Sequence, residues 1–392
     1  MNNFQYFTPT KVIFGKDTES QAGDLVKEQK GTKVLVHYGT GSVKRSGLLD
    51  RVYASLDKAG IPYVSLGGVV PNPRLSMVYK GIELCKKEDV DFILAVGGGS
   101  AIDSAKAIAY GLKYDGDVWD LYLKKEVPQD AMPLGVILTI AATGSEMSNS
   151  SVITNEEGWL KRGLNHDISR PRFAIMNPEL TYTLPEYQTM SGCTDIMMHT
   201  MERYFSHEMD TDLTDYLAEG LLKSVMHAAK VLLTKPEDYD ARAEILWAGS
   251  LSHNGLTGCG RLGDWACHQL EHELGGMFDV AHGAGLAAVW GSWARYVYKS
   301  DVARFAKFAV NVMGIPYDYA NPEKTALEGI EALENFFRSI HMPVCISELG
   351  VELNDDQIKE LAHKCSFMDT RTIGGIQKLD KKDIAEIYRM AK

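Results

Sequence analysis

Short apolar runs recur through the first 140 residues, at 33–37, 63–66, 92–96 and 134–138, and helical periodicity fills the gaps between them. Runs of Val, Ile, Leu and Phe without polar alternation belong to strands buried on both faces, and strands joined through helices pair in parallel. The first half therefore calls for an α/β domain around a parallel sheet covered on both sides. That rhythm stops near Pro185, a residue suited to the first turn of a helix. Beyond it, helical spacing runs through 187–205, 213–233, 241–254 and on to Met390, and nine of the eleven histidines lie there. The expected organisation is an α/β domain over residues 1–185 and an all-α domain over 186–392.

Charge and cysteine usage narrow the partners. Lys and Arg number 41 against 52 for Asp and Glu, a net of −11. A chain that acidic lacks the basic surface that nucleic acid or an anionic membrane requires, which leaves small molecules and proteins. The six cysteines are scattered with no Cys-x-x-Cys pair, and read as reduced, mostly buried thiols. No basic-then-apolar leader opens the chain, and no run reaches the ~18 consecutive apolar residues of a membrane span. A cytoplasmic protein is expected.

Glycine clusters close two of the strands. Gly39, Gly41 and Ser42 follow the first, and Gly97, Gly98, Gly99 and Ser100 follow the third and open a helix. Glycine lets backbone N–H groups approach a pyrophosphate, and a helix N-terminus adds its positive dipole end. Neither cluster is the standard Gly-x-Gly-x-x-Gly fingerprint, and either alone is no more than a tight turn. Two at the carboxyl ends of strands in one sheet point to a nucleotide crevice. Asp103 falls in the first turn of the helix after Ser100, where a carboxylate also suits the helix dipole. A third polar loop, from Thr139 through Thr143, Gly144, Ser145 and Glu146, follows the fourth strand.

The second half holds two clusters of metal-ligand type. Asp195 and His199 stand at i, i+4 on one helix face, and His268 and His272 repeat that spacing ahead of His282. Imidazole and carboxylate together suit a divalent cation, although each i, i+4 pair taken singly is an ordinary feature of helix surfaces. Residues 268–272 also match His-x-x-Glu-His, the inverted zinc-peptidase pattern with Glu271 as general base. That alternative leaves Asp195, His199 and the glycine-rich turns without a role.

Taken together, Gly97 to Asp103, Ala142 to Glu146, Asp195 with His199, and His268 with His272 and His282 resemble the iron-containing (group III) alcohol dehydrogenases. The likeness is to their butanol-dehydrogenase and NADPH-dependent aldehyde-reductase branch, and the segments 8–16 and 38–44 and the pair Asp264-Trp265 share it. The resemblance implies a Rossmann-like N-terminal domain, an all-α C-terminal domain and a site in the cleft between them. It also implies Asp195, His199, His268 and His282 as ligands of one Fe²⁺ or Zn²⁺, with His272 beside the nicotinamide and substrate as a catalytic proton relay. Gly39, Gly41, Ser42, Asn72, Gly98, Gly99, Ser100, Asp103, Thr139, Thr143, Ser145, Lys161 and Tyr182 are the cofactor contacts it implies. The implied reaction moves a hydride between NAD(P)H and a short- to medium-chain aldehyde such as butanal, in a homodimer. A sibling polyol (glycerol-type) dehydrogenase, a dehydroquinate-synthase-like lyase and a non-catalytic nucleotide-binding protein are the rival readings. The siblings place other residues at the ligand positions.

Cofactor choice has its own physical handle. Sites that select NAD place a carboxylate where it accepts from the ribose 2′-hydroxyl and repels a 2′-phosphate. Residues 38–45 hold no acid and end in Lys44 and Arg45, and the second strand closes on Ser65, Leu66, Gly67 and Gly68. NADP(H) is therefore expected in preference to NAD(H).

Overall fold

A computed structural model describes residues 1–392 in two units. One is Phe7–Leu184, and the other is Pro185–Lys392 together with Met1–Tyr6. The first six residues join the helical unit because Asn2 donates its N–H to Gly260 O (2.8 Å) and its amide to Glu208 Oε1 (2.7 Å). The α/β unit consequently starts at Phe7, six residues later than sequence patterning places it.

The α/β unit is built on β1 (Lys11–Phe14), β2 (Val34–Gly39), β3 (Tyr63–Val69), β4 (Phe92–Gly97), β5 (Leu134–Leu138) and β8 (Phe173–Met176). They form one all-parallel sheet in the order β1-β8-β5-β4-β2-β3, while β6 (Ser150–Asn155) and β7 (Leu160–Asn165) make a separate antiparallel hairpin. Every residue of β4 and β5 is buried, which is the signature of strands covered on both faces. Ile93 and Val96 of β4, Ile137 of β5 and Ile175 of β8 are inaccessible to solvent. From β2 the chain steps outward to β3 and then returns to the other side of β2 as β4. Strand order reverses there, so the carboxyl ends of β2 and β4 flank a topological switch point.

The second unit is built from helices, with one isolated bridge, Ile373 to Leu379, as its extended pairing, as the loss of strand periodicity after Pro185 leads one to expect. Pro185 itself is the N-cap, and the helix Glu186–Tyr204 begins one residue later. Three helices concern the site: Glu186–Tyr204, Ala266–Phe278 and His282–Val297. Glycine sets their spacing. A Cβ on Gly283 would fall 1.9 Å from Ser191 O, and one on Gly285 would fall 2.8 Å from Glu271 Cγ. A side chain at either position would push apart the helices that carry the clustered histidines. No helix is long and apolar enough to cross a membrane.

Candidate metal centre and nucleotide crevice

Within the α/β unit three loops lie side by side at the carboxyl ends of adjacent strands. Tyr38 is in register with Val96 across β2 and β4, and Gly97 with Leu138 across β4 and β5. Thr139 N then donates to Gly97 O at 3.1 Å. The helix Gly99–Gly111 starts from the N-cap Gly98, which makes no side-chain cap bond, an end at which first-turn N–H groups can meet an anion. Side chains are barred from the turn. A Cβ on Gly98 would stand 2.0 Å from Ile140 Cγ2, and one on Gly99 would stand 2.4 Å from Thr143 Cγ2. This is a backbone cradle of the kind a pyrophosphate needs.

The structure brings Gly39, Gly41, Ser42, Gly98, Gly99, Ser100, Thr139 and Thr143 to this end of the sheet. Lys161 lies on β7, 5 % exposed, and buried Asn72 adopts a left-handed backbone at φ 52. Tyr182 is half-buried just past the 3-10 turn Pro178–Thr181. Asp103 and Ser145 are occupied inside the protein. Asp103 Oδ1 accepts from Ser145 Oγ (2.6 Å) and its Oδ2 from Val152 N (3.0 Å). Lys106, which sequence reasoning missed, explains the shape of the loop below them. Its fully buried ammonium donates to the carbonyls of Ser145 (2.7 Å), Ser148 (2.9 Å) and Ser150 (2.8 Å). Burial lowers the Lys106 pKa to about 8, opposed by the charges of Asp103 and Glu146.

The helical unit carries the second cluster. Asp195 and His199 share the buried face of Glu186–Tyr204, at 2 % and 3 % exposure. His268 lies in the first turn of Ala266–Phe278, and His282 is the first residue of His282–Val297. Asp195 Oδ1 stands 3.7 Å from His268 Nε2 and 3.6 Å from His282 Nε2, and all three ligand atoms lie within 4.8 Å of one another. His199 stands just outside this trio, with its Nδ1 3.3 Å from Asp195 Oδ1. Three of the four expected ligands are thus brought together and the fourth flanks them. The His272 ring is half-buried, 5.9 Å from that of His282 and 6.4 Å from that of His268, and is not part of the trio.

These residues fit a cation. Asp195 Oδ1, His199 Nδ1 and His268 Nε2 are buried with no hydrogen-bond partner, a costly arrangement unless something between them takes their lone pairs. Ligands held at about 2.1 Å around a tetrahedral ion lie roughly 3.4 Å apart, close to the separations from Asp195. The neighbouring carboxylates favour positive charge here. Burial works against charge on His268, yet Asp195 nearby and the hydrogen-bonded Glu202 overcome it and hold its pKa up at about 9. His199 is driven well below the ordinary value by burial and by His253, His268 and Arg203 facing it.

Two carboxylates that sequence reasoning did not assign to the site orient the imidazoles. Glu202 Oε1 accepts from His268 Nδ1 (2.9 Å) and from His268 N (2.8 Å), and Glu271 pairs with His282 Nδ1. Such partners fix the tautomer and leave the opposite nitrogen for an ion. Glu202 was detectable, since 195, 199 and 202 follow the i, i+4, i+7 spacing of one helix face. The placement of Glu271 also answers the peptidase alternative. That carboxylate is fully buried and committed to His282, so it is not positioned as a general base for a water molecule.

Comparison with known proteins agrees with this geometry. The family model "Iron-containing alcohol dehydrogenase" matches residues 9–178, and "Fe-containing alcohol dehydrogenase family, C-terminal" matches residues 189–392. The chain is 42% identical over 389 residues to the probable NADH-dependent butanol dehydrogenase 1 of Bacillus subtilis, covering 99% of each. It is 34% identical over 356 residues to the NADPH-dependent aldehyde reductase YqhD of Escherichia coli, covering 90% of each. The crystal structure of NADH-dependent butanol dehydrogenase A from Thermotoga maritima superposes with a TM-score of 0.96 at 38% identity, covering 100% of this chain and 99% of that one.

Proposed function

The chain belongs to the iron-containing alcohol dehydrogenase family, and from that premise we propose that it reduces short- to medium-chain aldehydes such as butanal with NADPH, and runs the reverse alcohol oxidation. The observation that carries the proposal is a buried carboxylate, Asp195, ringed by His199, His268 and His282, with polar atoms that no protein group satisfies. In this reading Asp195, His199, His268 and His282 hold one divalent ion. The donor set suits Fe²⁺ and Zn²⁺ alike, and iron is our assignment from the family. Such an ion polarises the carbonyl oxygen and steadies the charge that develops on it, while a reduced nicotinamide supplies hydride to the carbonyl carbon.

The chain's own residues do the rest. Glu202 and Glu271 keep His268 and His282 turned toward the ion. The turn from Gly97 to Ser100 receives the pyrophosphate on backbone N–H groups, and Thr139, Thr143, Lys161, Asn72 and Tyr182 complete the cofactor contacts. His272, outside the ligand set but within 6 Å of the His282 ring, delivers the proton that turns the product oxygen into a hydroxyl.

The preference for NADPH rests on the loop after β2. No carboxylate lies between Tyr38 and Ser46, and Ser42 with the backbone of Gly39–Gly41 offers donors to a 2′-phosphate. Lys44, over the Tyr38 ring at 5.3 Å, adds positive charge beside them. Relatives named for NADH dependence stand nearer in sequence than the NADPH-dependent one, so loop chemistry and not likeness supports this part. A homodimer in the cytoplasm completes the proposal, and six free cysteines suit that reducing setting. The test is NADPH and NADH oxidation with C2 to C8 aldehydes, before and after chelation. Turnover that requires metal and rises from acetaldehyde toward butanal supports the proposal, and turnover untouched by complete metal removal refutes it.

A further inference from the structure

Trp265 occupies a backbone conformation that its side chain disfavours. It is the N-cap of the His268 helix at φ 64, in the left-handed region where a bulky residue is rare and persists only when its surroundings impose it. The imposing contacts are identifiable. Asp264, nearly inaccessible, accepts from Ala266 N (2.9 Å) through Oδ1 and from Gly375 N (2.7 Å) and Ile376 N (2.9 Å) through Oδ2. Its own N–H donates to Glu202 O at 2.7 Å. The Arg203 guanidinium lies 4.5 Å from the centre of the indole and is itself tied to His199 O (2.7 Å) and Ser252 O (3.1 Å). Gly263 clears the space, since a Cβ there would stand 2.6 Å from Trp265 Nε1.

The indole held in this way faces the clustered imidazoles. Its centroid is 5.4 Å from that of His268, 5.8 Å from His253 and 6.3 Å from His199. His199 is where such packing matters most. His268 and His282 are each oriented by a carboxylate, whereas His199 Nδ1 makes no hydrogen bond. Its ring is bounded by that of His253 at 4.0 Å, by that of His268 at 4.5 Å and by Trp265.

We propose that Trp265 is a positioning residue for the metal centre: clamped through Asp264 to Gly375 and Ile376 and backed by Arg203, its indole holds the His199 and His268 rings in ligating orientation and slows loss of the ion. The inference rests on the reading of those histidines as ligands. A ring that is already fixed loses little rotamer freedom when the ion binds, and a ligand left loose gives its ion up sooner.

The experiment loads wild type, Trp265→Phe, Trp265→Gly and Asp264→Asn with zinc, then follows release to excess chelator and the melting temperature of each metal-free protein. Trp265→Gly should release zinc roughly tenfold faster or more, the scale of losses when a ligand's support is removed. Trp265→Phe, which keeps an aromatic face, should stay within about threefold of wild type, and Asp264→Asn should release faster than wild type. A tryptophan that only supports the fold predicts instead a lower melting temperature with release at the wild-type rate, and that result overturns the proposal. If Trp265→Gly does not fold, wild-type release from Asp264→Asn overturns it equally. Wild type that takes up no stoichiometric zinc would refute the ligand reading itself, a separate and recognisable failure.

Discussion

Placing a carboxylate at Gly39 should reverse the cofactor preference. Gly39 ends β2 and opens the loop expected to meet the adenosine ribose. A Cβ built there meets only Val69 O, at 3.6 Å, an ordinary contact, and the backbone does not require glycine, so Gly39→Asp is tolerated without a shift of the sheet. At roughly 6 Å and an effective dielectric of about 40, each unit-charge pair costs about 1.4 kcal/mol. A 2′-phosphate carrying nearly two charges then loses roughly 2–3 kcal/mol, or about 30- to 150-fold in kcat/KM. The NADH ribose has no such charge, and its 2′-hydroxyl gains an acceptor. The assay is kcat/KM for both cofactors with butanal at fixed ionic strength, repeated at higher salt, where screening should shrink the NADPH penalty. A change in the NADPH-to-NADH ratio below about threefold would place the loop away from the 2′ position. Wild type with the higher kcat/KM for NADH would refute the reasoning outright.

Other outcomes follow from the same geometry. His272→Ala should retain its metal and lose roughly 10²- to 10⁴-fold in kcat, the usual scale for a positioned acid, and metal analysis of the purified variant separates this from loss of a ligand. His37 carries a pH dependence of stability: burial lowers its pKa to about 4 while its ring bonds Leu66 O and Ser104 Oγ. It stays neutral in the fold while the unfolded chain takes a proton below about 6.5, so stability present above that pH falls by roughly 3 kcal/mol as pH drops to about 4, then levels off. Chemical denaturation across that window should show the slope in wild type and lack it in His37→Gln.

The parts of this architecture that were legible in the sequence are those written in long or repeated patterns. β4 and β5 are uninterrupted apolar runs and β2 is broken only by His37, and the helices Leu48–Ala59 and Leu75–Lys87 present clean amphipathic spacing. β1 and β8 escaped because each has only four residues, and β1 is a partly exposed edge. The hairpin β6–β7 escaped because its polar residues, Ser151, Thr154, Lys161 and Arg162, are buried by tertiary contacts that no local pattern announces. At the site, Asp195 and the three histidines stood out by residue type and spacing. His253 and Lys106 did not, because each acts on another residue distant in the chain, His199 and the Ser145–Ser150 loop, while Glu202 showed its helix face by spacing but not its partner His268. Glu271 was visible but misdirected by its motif, since its partner His282 lies on the next helix.

One ion held by Asp195, His199, His268 and His282 should be indispensable to turnover. The decisive measurement is metal content per chain in wild type and His268→Ala purified side by side, set against NADPH oxidation by butanal. Wild type should carry about one Fe²⁺ or Zn²⁺ per chain and the variant under about a tenth of that with turnover abolished, while NADPH still binds and the protein still folds. Stoichiometric metal retained by His268→Ala, or full turnover without it, would remove His268 from the ligand set or the ion from the reaction.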